Sequence, residues 1–143
     1  MKKTGKKYDV GITFGAFEYF HYGHVNLLKN AKKFCNKLIV CVSDDEYIKT
    51  HKNHTPAMSW MERKTVVEAI KYVDRVEKQS NKFSKADAVK KHKPDVLLVG
   101  NDWTPETYTG EGLGVPVIYL PYTKSISSTK LRLILGNKKC KGL

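Results

Sequence analysis

The chain has 143 residues, 41% hydrophobic and 28% charged, which suits one compact domain spanning 1–143 with a real core and excludes a disordered chain. Lysine and arginine total 26 against 14 aspartates and glutamates, and the formal net charge of +12 implies anionic partners. Only Arg63, Arg75 and Arg132 are arginines; lysine is a point charge suited to phosphates in general, so a small phosphorylated ligand competes well with nucleic acid.

The amino terminus is basic, and no apolar signal region follows it. Residues 8–14 read as a strand. Residues 25–34 read as a helix with Val25, Leu27, Leu28 and Ala31 on one broad face. The unbroken apolar run 38–42 is a strand covered on both faces, and 49–58 lacks periodicity and reads as a loop. Ser59 and Glu62 form a capping box opening a helix expected to reach Val73 and to bury Val66, Ile70 and Val73 with Val67 alongside. Ser84 to Asp87 start a shorter helix that stops near Pro94. Two further strands follow at 95–99 and 115–120, separated by a loop over 103–114 containing Gly110, Gly112 and Gly114. The last helix begins near Ser127 or Ser128, carries Leu131, Ile134 and Leu135, and meets a capping Gly136 before a loose tail over 137–143.

This alternation is that of a doubly wound α/β domain: a mostly parallel sheet with helices on both faces, a core over about 8–135, and ligands held beyond the carboxyl ends of the strands. Cys35, Cys41 and Cys140 are odd in number and lack metal or disulfide spacing, so a reducing cytoplasm is the expected compartment. No apolar stretch approaches the ~18 residues of a membrane span.

Three loops hold the candidate chemistry. The first leaves a strand through Thr13, Phe14 and Gly15, and passes Phe17 and Glu18. It then enters a helix with His21, Gly23 and His24 at its start. Two imidazoles three positions apart can face one point, glycine lets the backbone approach it, and a helix amino terminus favours an anion there. That set suits attack on a nucleoside triphosphate, where positioned donors meet charge on the phosphoryl oxygens. The last loop offers Ile126, Ser127, Ser128 and Thr129 at a helix start, bracketed by Lys124 and Lys130. The third is Gly100-Asn101-Asp102-Trp103, whose carboxylate suits a ribose hydroxyl or magnesium and whose indole suits a pocket wall. Read singly, each loop fits a plainer role as well: histidines that cap and pack, a serine cap, an Asx turn. No third ligand for a protein-held metal stands out, so the metal site is left unassigned.

In this order, the segments 13–24, 62–76, 100–103 and 126–129 make the chain resemble the cytidylyltransferase family over about 8–135, and within it most of all the glycerol-3-phosphate cytidylyltransferases. The resemblance implies a Rossmann-like homodimer that transfers CMP from CTP to a small alcohol phosphate, best matched by glycerol 3-phosphate, releasing pyrophosphate with Mg2+ accompanying the triphosphate. It implies catalytic roles for His21, His24 and Lys52, with Lys49 or His54 as alternatives to Lys52. It places Thr13, Phe14, Gly15, Phe17, Gly23, Asp102, Tyr122, Ile126, Ser127, Ser128 and Thr129 around the nucleotide, and Glu18, Lys49, Arg63, Lys71, Trp103 and Lys124 toward acceptor or phosphates.

Glu18 stands where the family often has aspartate, Lys71 where it has arginine, and Tyr122-Thr123-Lys124-Ser125 where it has Arg-Thr-Glu-Gly. The exchange at Tyr122 removes a cation and adds a ring. Phosphocholine or phosphoethanolamine as acceptor, and an ATP-using relative, are the alternatives within enzymes. A basic nucleic-acid-binding module is the alternative outside them. Lysines spread over the whole chain, with no helix-turn-helix, zinc or aromatic RNA-binding signature, argue against that module.

Overall fold

The computed structural model describes residues 7–137; the first six residues of the basic amino terminus, Cys140 and all but the first residue of the expected loose tail lie outside them. Ten elements follow in order: β1 Tyr8–Gly15, α1 Tyr22–Lys32, β2 Cys35–Ser43, α2 Asp45–Lys52, α3 Trp60–Glu68, β3 Arg75–Gln79, α4 Lys85–His92, β4 Val96–Gly100, β5 Val117–Leu120 and α5 Ser128–Asn137. The five strands form one sheet in the order β3-β2-β1-β4-β5, every neighbouring pair parallel. The doubly wound α/β expectation therefore holds.

Alternation along the strands sends side chains to two cores. Leu38, Val40, Val42, Val96 and Leu98 pack with Leu28 and Ala31 of α1 and Val67 of α3. On the other face Ile12, Ile39, Cys41, Leu97 and Val99 pack with Ala88 of α4 and Tyr108 of the 103–114 loop. Burying each such aliphatic side chain is worth about 1.5–3 kcal/mol. At Gly11 a Cβ would lie 2.8 Å from Cys35 Sγ and 2.9 Å from Leu98 Cδ1, so the side chains of Cys35 on β2 and Leu98 on β4 close on this strand only because no side chain stands there. Cys35 and Cys41 are both buried.

Several elements differ from expectation. The segment read as a loop over 49–58 is helical in its first part: Asp44 caps α2 by accepting from Tyr47 N at 2.8 Å, and the helix stops at Asn53 in the left-handed region. Only Ile48 of α2 is buried, too little apolar content for a periodic signal. Helix α3 ends at Glu68 rather than Val73, with Val67 inside and Val66 exposed. The turn over 69–73 brings Asp74 to Leu38, whose N–H its carboxylate accepts at 2.8 Å, and this starts β3 beside β2. The sequence carries no apolar run that marks strand β3, because an edge strand needs few apolar residues and Arg75-Val76-Glu77-Lys78-Gln79 has one. Helix α1 begins three residues before position 25, β5 starts after Pro116, and α5 runs through Gly136, leaving Leu133, Ile134 and Leu135 exposed. No helix among the described residues is long and apolar enough to cross a membrane.

Candidate active site

The winding of the sheet reverses between β1 and β4, and the loops leaving their carboxyl ends diverge around a cleft. A cavity of about 370 Å³ lies there, lined by the ends of β1 and β4, the start of α1, the loop after β5 and the start of α5. Two helix amino termini thus meet at one cavity, where their free N–H groups and dipoles favour an anion.

His21 is the N-cap of α1 and His24 sits in its first turn. Gly23 N–H donates to His21 Nδ1 at 3.0 Å, and His21 N–H donates to His24 Nδ1 at 3.1 Å. Each ring spends Nδ1 as an acceptor, which keeps its proton on Nε2. The rings stack with centroids 3.9 Å apart, and Phe17 and Phe20 pack on His24 at 5.3 and 5.0 Å. Burial pushes His21 below the ordinary histidine range. It pushes His24 down to about 3, with help from the charges of His21 and Lys52. Both are therefore neutral donors at physiological pH. A Cβ on Gly23 would stand 2.9 Å from His21 Cε1, so the pair needs glycine between its members.

The opposite wall comes from the last loop. Ser127 Oγ accepts from Lys130 N–H at 3.0 Å and caps α5, while Ser128 Oγ donates to Glu18 O at 2.5 Å and lies 3.5 Å from His21 Nε2. Asn26 Nδ2 donates to Thr123 Oγ1 at 3.1 Å, and Tyr122 N–H donates to Asn101 Oδ1 at 3.1 Å, so α1, the β4 turn and the last loop hold one another in place. Asp102 and exposed Trp103 and Tyr122 line the outer part. On the floor, Thr13 Oγ1 is buried with no hydrogen-bond partner among the described residues. An orphan hydroxyl costs about 1–3 kcal/mol unless something fills the cavity and bonds to it.

The structure brings Thr13, Phe14, His21, Gly23, His24, Asp102, Trp103, Tyr122, Ile126, Ser127, Ser128 and Thr129 to this one cavity. The remaining expected residues stand elsewhere. Gly15 lies outside the lining, and Phe17 is a core residue packed on His24. Lys52 ends α2 outside the lining, near enough for its charge to act on His24. Lys49 is exposed and 3.6 Å from Glu46. Lys124 is exposed one position beyond the lining residue Thr123.

Three expectations are corrected by geometry. Arg63 does not face the cavity: it is 1% exposed, and its guanidinium donates to Ala16 O at 2.8 Å, Ser43 O at 2.6 Å, Met58 O at 3.0 Å and Asp45 Oδ1 at 2.7 Å. It is a strut under the loops. Lys71 lies over the Tyr72 ring just ahead of β3, toward the edge of the sheet where strands begin, and so away from the cleft. Glu18, expected near phosphate or acceptor, is 5% exposed and paired with His54. Sequence reasoning missed Leu27, Val99, Pro121 and Thr123 in the lining. Each adjoins a motif residue on its loop or one turn along α1, which is the only signal that marks them. Among the described residues no group of three or more His, Cys, Asp or Glu is placed to hold a metal.

Comparison with known proteins agrees with this geometry. The cytidylyltransferase-like family model matches residues 12–134. The chain is 36% identical over 121 residues to the glycerol-3-phosphate cytidylyltransferase of Bacillus subtilis (strain 168), covering 85% of this chain and 92% of that one. To the enzyme of the same name from Staphylococcus aureus it is 37% identical over 132 residues, covering 91% and 97%. It is also 38% identical over 117 residues to an FAD synthase of Pyrococcus abyssi, covering 78% and 79%. Among solved structures, a lipopolysaccharide core biosynthesis protein from Thermoplasma volcanium shares the fold, with a TM-score of 0.67 at 23% identity, covering 81% of this chain and 97% of that one.

Proposed function

The chain belongs to the cytidylyltransferase-like family and is a nucleotidyltransferase, and from that premise we propose that it transfers CMP from CTP to glycerol 3-phosphate, releasing pyrophosphate. The observation that carries the reading is the histidine pair with both Nδ1 atoms occupied by backbone N–H groups, which leaves two neutral Nε2–H donors at a cavity flanked by two helix starts. Preorganised donors of this kind act where charge develops, and one such donor is commonly worth about 10²–10³ in rate.

In this reading an oxygen of the acceptor's phosphate, already ionised near neutral pH, attacks the α-phosphorus of CTP. The new P–O bond forms as the bond to the bridging oxygen breaks, and pyrophosphate leaves with that electron pair. His21 and His24 donate to the α-phosphate and to the departing bridge, Ser127, Ser128 and Thr129 meet the triphosphate, and Lys52 offsets charge on the acceptor's phosphate. Asp102 and the orphan Thr13 hydroxyl bind the nucleoside end. The hydroxyls of Ser127, Ser128 and Thr129 suit Mg2+ that arrives on the triphosphate, with most of its oxygen ligands supplied by phosphate and water; bound there it would neutralise phosphate charge. The homodimer belongs to the same reading and is supported by Met61 and Val66, left exposed on α3. Sedimentation would check it.

The similarity to FAD synthases favours one second reading, an ATP-using transfer. Pyrophosphate release with Mg2+, offering CTP or ATP against glycerol 3-phosphate, phosphocholine, phosphoethanolamine and flavin mononucleotide, separates the two. Release with CTP and glycerol 3-phosphate is the expected result. Release only with ATP and flavin mononucleotide would overturn it.

A further inference from the structure

Glu18 carries a carboxylate that the proposed chemistry does not use, and it is one of the most buried charged groups in the chain, at 5% exposure. Its backbone is held open by strain: Phe17 and Tyr19, on either side, both sit at positive φ, 54° and 48°. Non-glycine residues in that region cost on the order of 1 kcal/mol or more each, and such strain persists where surrounding contacts over-determine it. Here the contacts are visible. Both Glu18 carboxylate oxygens meet His54 Nε2, at 2.9 and 3.0 Å, Arg132 Nη1 of α5 lies 4.0 Å away, and the Glu18 carbonyl accepts from Ser128.

His54 faces the other way as well. Its Nδ1 lies 3.2 Å from Lys52 O, so one ring bridges the Glu18 carboxylate and the end of α2. The loop from Asn53 to Met58 is therefore pinned at both ends. The far end is tied to the loop after β1 by Arg63, which donates to both Met58 O and Ala16 O. The near end, carrying Lys52, is tied to the same loop through His54 and Glu18.

From this geometry we propose that Glu18 and His54 form a positioning clamp that fixes the end of α2, so that Lys52 meets the acceptor's phosphate beside the catalytic histidines. The clamp rests on the reading given above, and it adds two positioning residues to it. It also accounts for glutamate at position 18: the longer reach lets the carboxylate cross from the β1 loop to the imidazole.

The test is a double-mutant cycle on the whole chain, with His54→Ala, Lys52→Ala and the pair, read as separate KM values for CTP and glycerol 3-phosphate, kcat, and melting temperature. The expected result for His54→Ala is an acceptor KM raised about tenfold with the CTP KM within about twofold, since a misplacement of about 1 Å is enough to cost that much. Because Arg63 still holds the far end, the melting temperature should move by only a few degrees. Lys52→Ala should then cost far less in the His54→Ala background than alone. Glu18→Asp, which keeps the charge and shortens the reach, should behave like His54→Ala. Additive effects, equal changes in both KM values, or an unchanged acceptor KM would overturn the clamp. Amide hydrogen exchange over residues 50–55 gives a readout free of turnover. It should quicken in His54→Ala, and unchanged exchange would refute the clamp whether or not the chain transfers CMP. Wild-type chain inactive toward CTP and glycerol 3-phosphate would instead refute the functional reading.

Discussion

Replacing Arg63 by methionine removes a fully buried cation whose guanidinium satisfies three backbone carbonyls and one carboxylate. The apolar stem is conserved, so the loss falls on Ala16 O, Ser43 O and Met58 O, which keep their burial and lose their donor, and on Asp45, which loses its partner. Breaking a buried charged network by removing one member costs about 3–5 kcal/mol. Unfolding entropy of about 2 cal/mol/K per residue for a chain of this size converts that to a fall of about 10–17 °C in the melting midpoint. Arg63→Lys should recover little, since one ammonium cannot reach carbonyls that the planar fork meets in different directions. The assay is thermal unfolding followed by circular dichroism, paired with turnover at a temperature where both proteins are folded. A variant that melts normally but loses acceptor binding would refute the strut and return Arg63 to the acceptor site.

Stability should fall in acid. His24 is held at about 3 against 6.5 when unfolded, so below pH 6.5 the unfolded chain takes up a proton that the folded chain refuses; the loss is at most about 1.4 kcal/mol per pH unit down to pH 3, and His24→Gln should flatten that slope in denaturant titrations. His24→Ala should lower kcat by about 10²–10³ while leaving the protein folded, and near-normal turnover would remove His24 from the mechanism. Gly23→Ala pushes a methyl group against His21 Cε1 at 2.9 Å and should cost about 1–3 kcal/mol of stability together with most of the activity; a crystal structure with an unmoved imidazole would contradict this. Tyr122→Arg restores a cation at the rim of the cavity and should lower the nucleotide KM several-fold in a salt-sensitive way, measured at two ionic strengths.

Sequence patterning was enough for the alternating α/β architecture, four of the five strands and the starts of α3 and α4, because those features are local. Continuous apolar runs mark buried parallel strands, and serine followed three positions later by an acid satisfies backbone donors within a single turn. The His21-Gly23-His24 spacing was legible for the same reason, since the histidines, the glycine and the helix start they cap are neighbours in the chain.

Tertiary structure decided what depends on partners far along the chain. β3 is a strand only because β2 offers it a ladder, and α2 is a helix although Ile48 is its only buried residue. Arg63 and Lys71 both looked like cations for a phosphate, and nothing local separates them. One is consumed by carbonyls of two loops and of the end of β2, and the other lies toward the far edge of the sheet. Glu18 and His54 are 36 residues apart, and no periodicity links them. The sequence by itself determined which short segments could bind an anion, since capping, helix dipoles and glycine's freedom act within a turn of the chain. Which cations reach that anion was decided by the fold, because an ion pair is set by distance in space and burial, and both exist only after the strands are ordered.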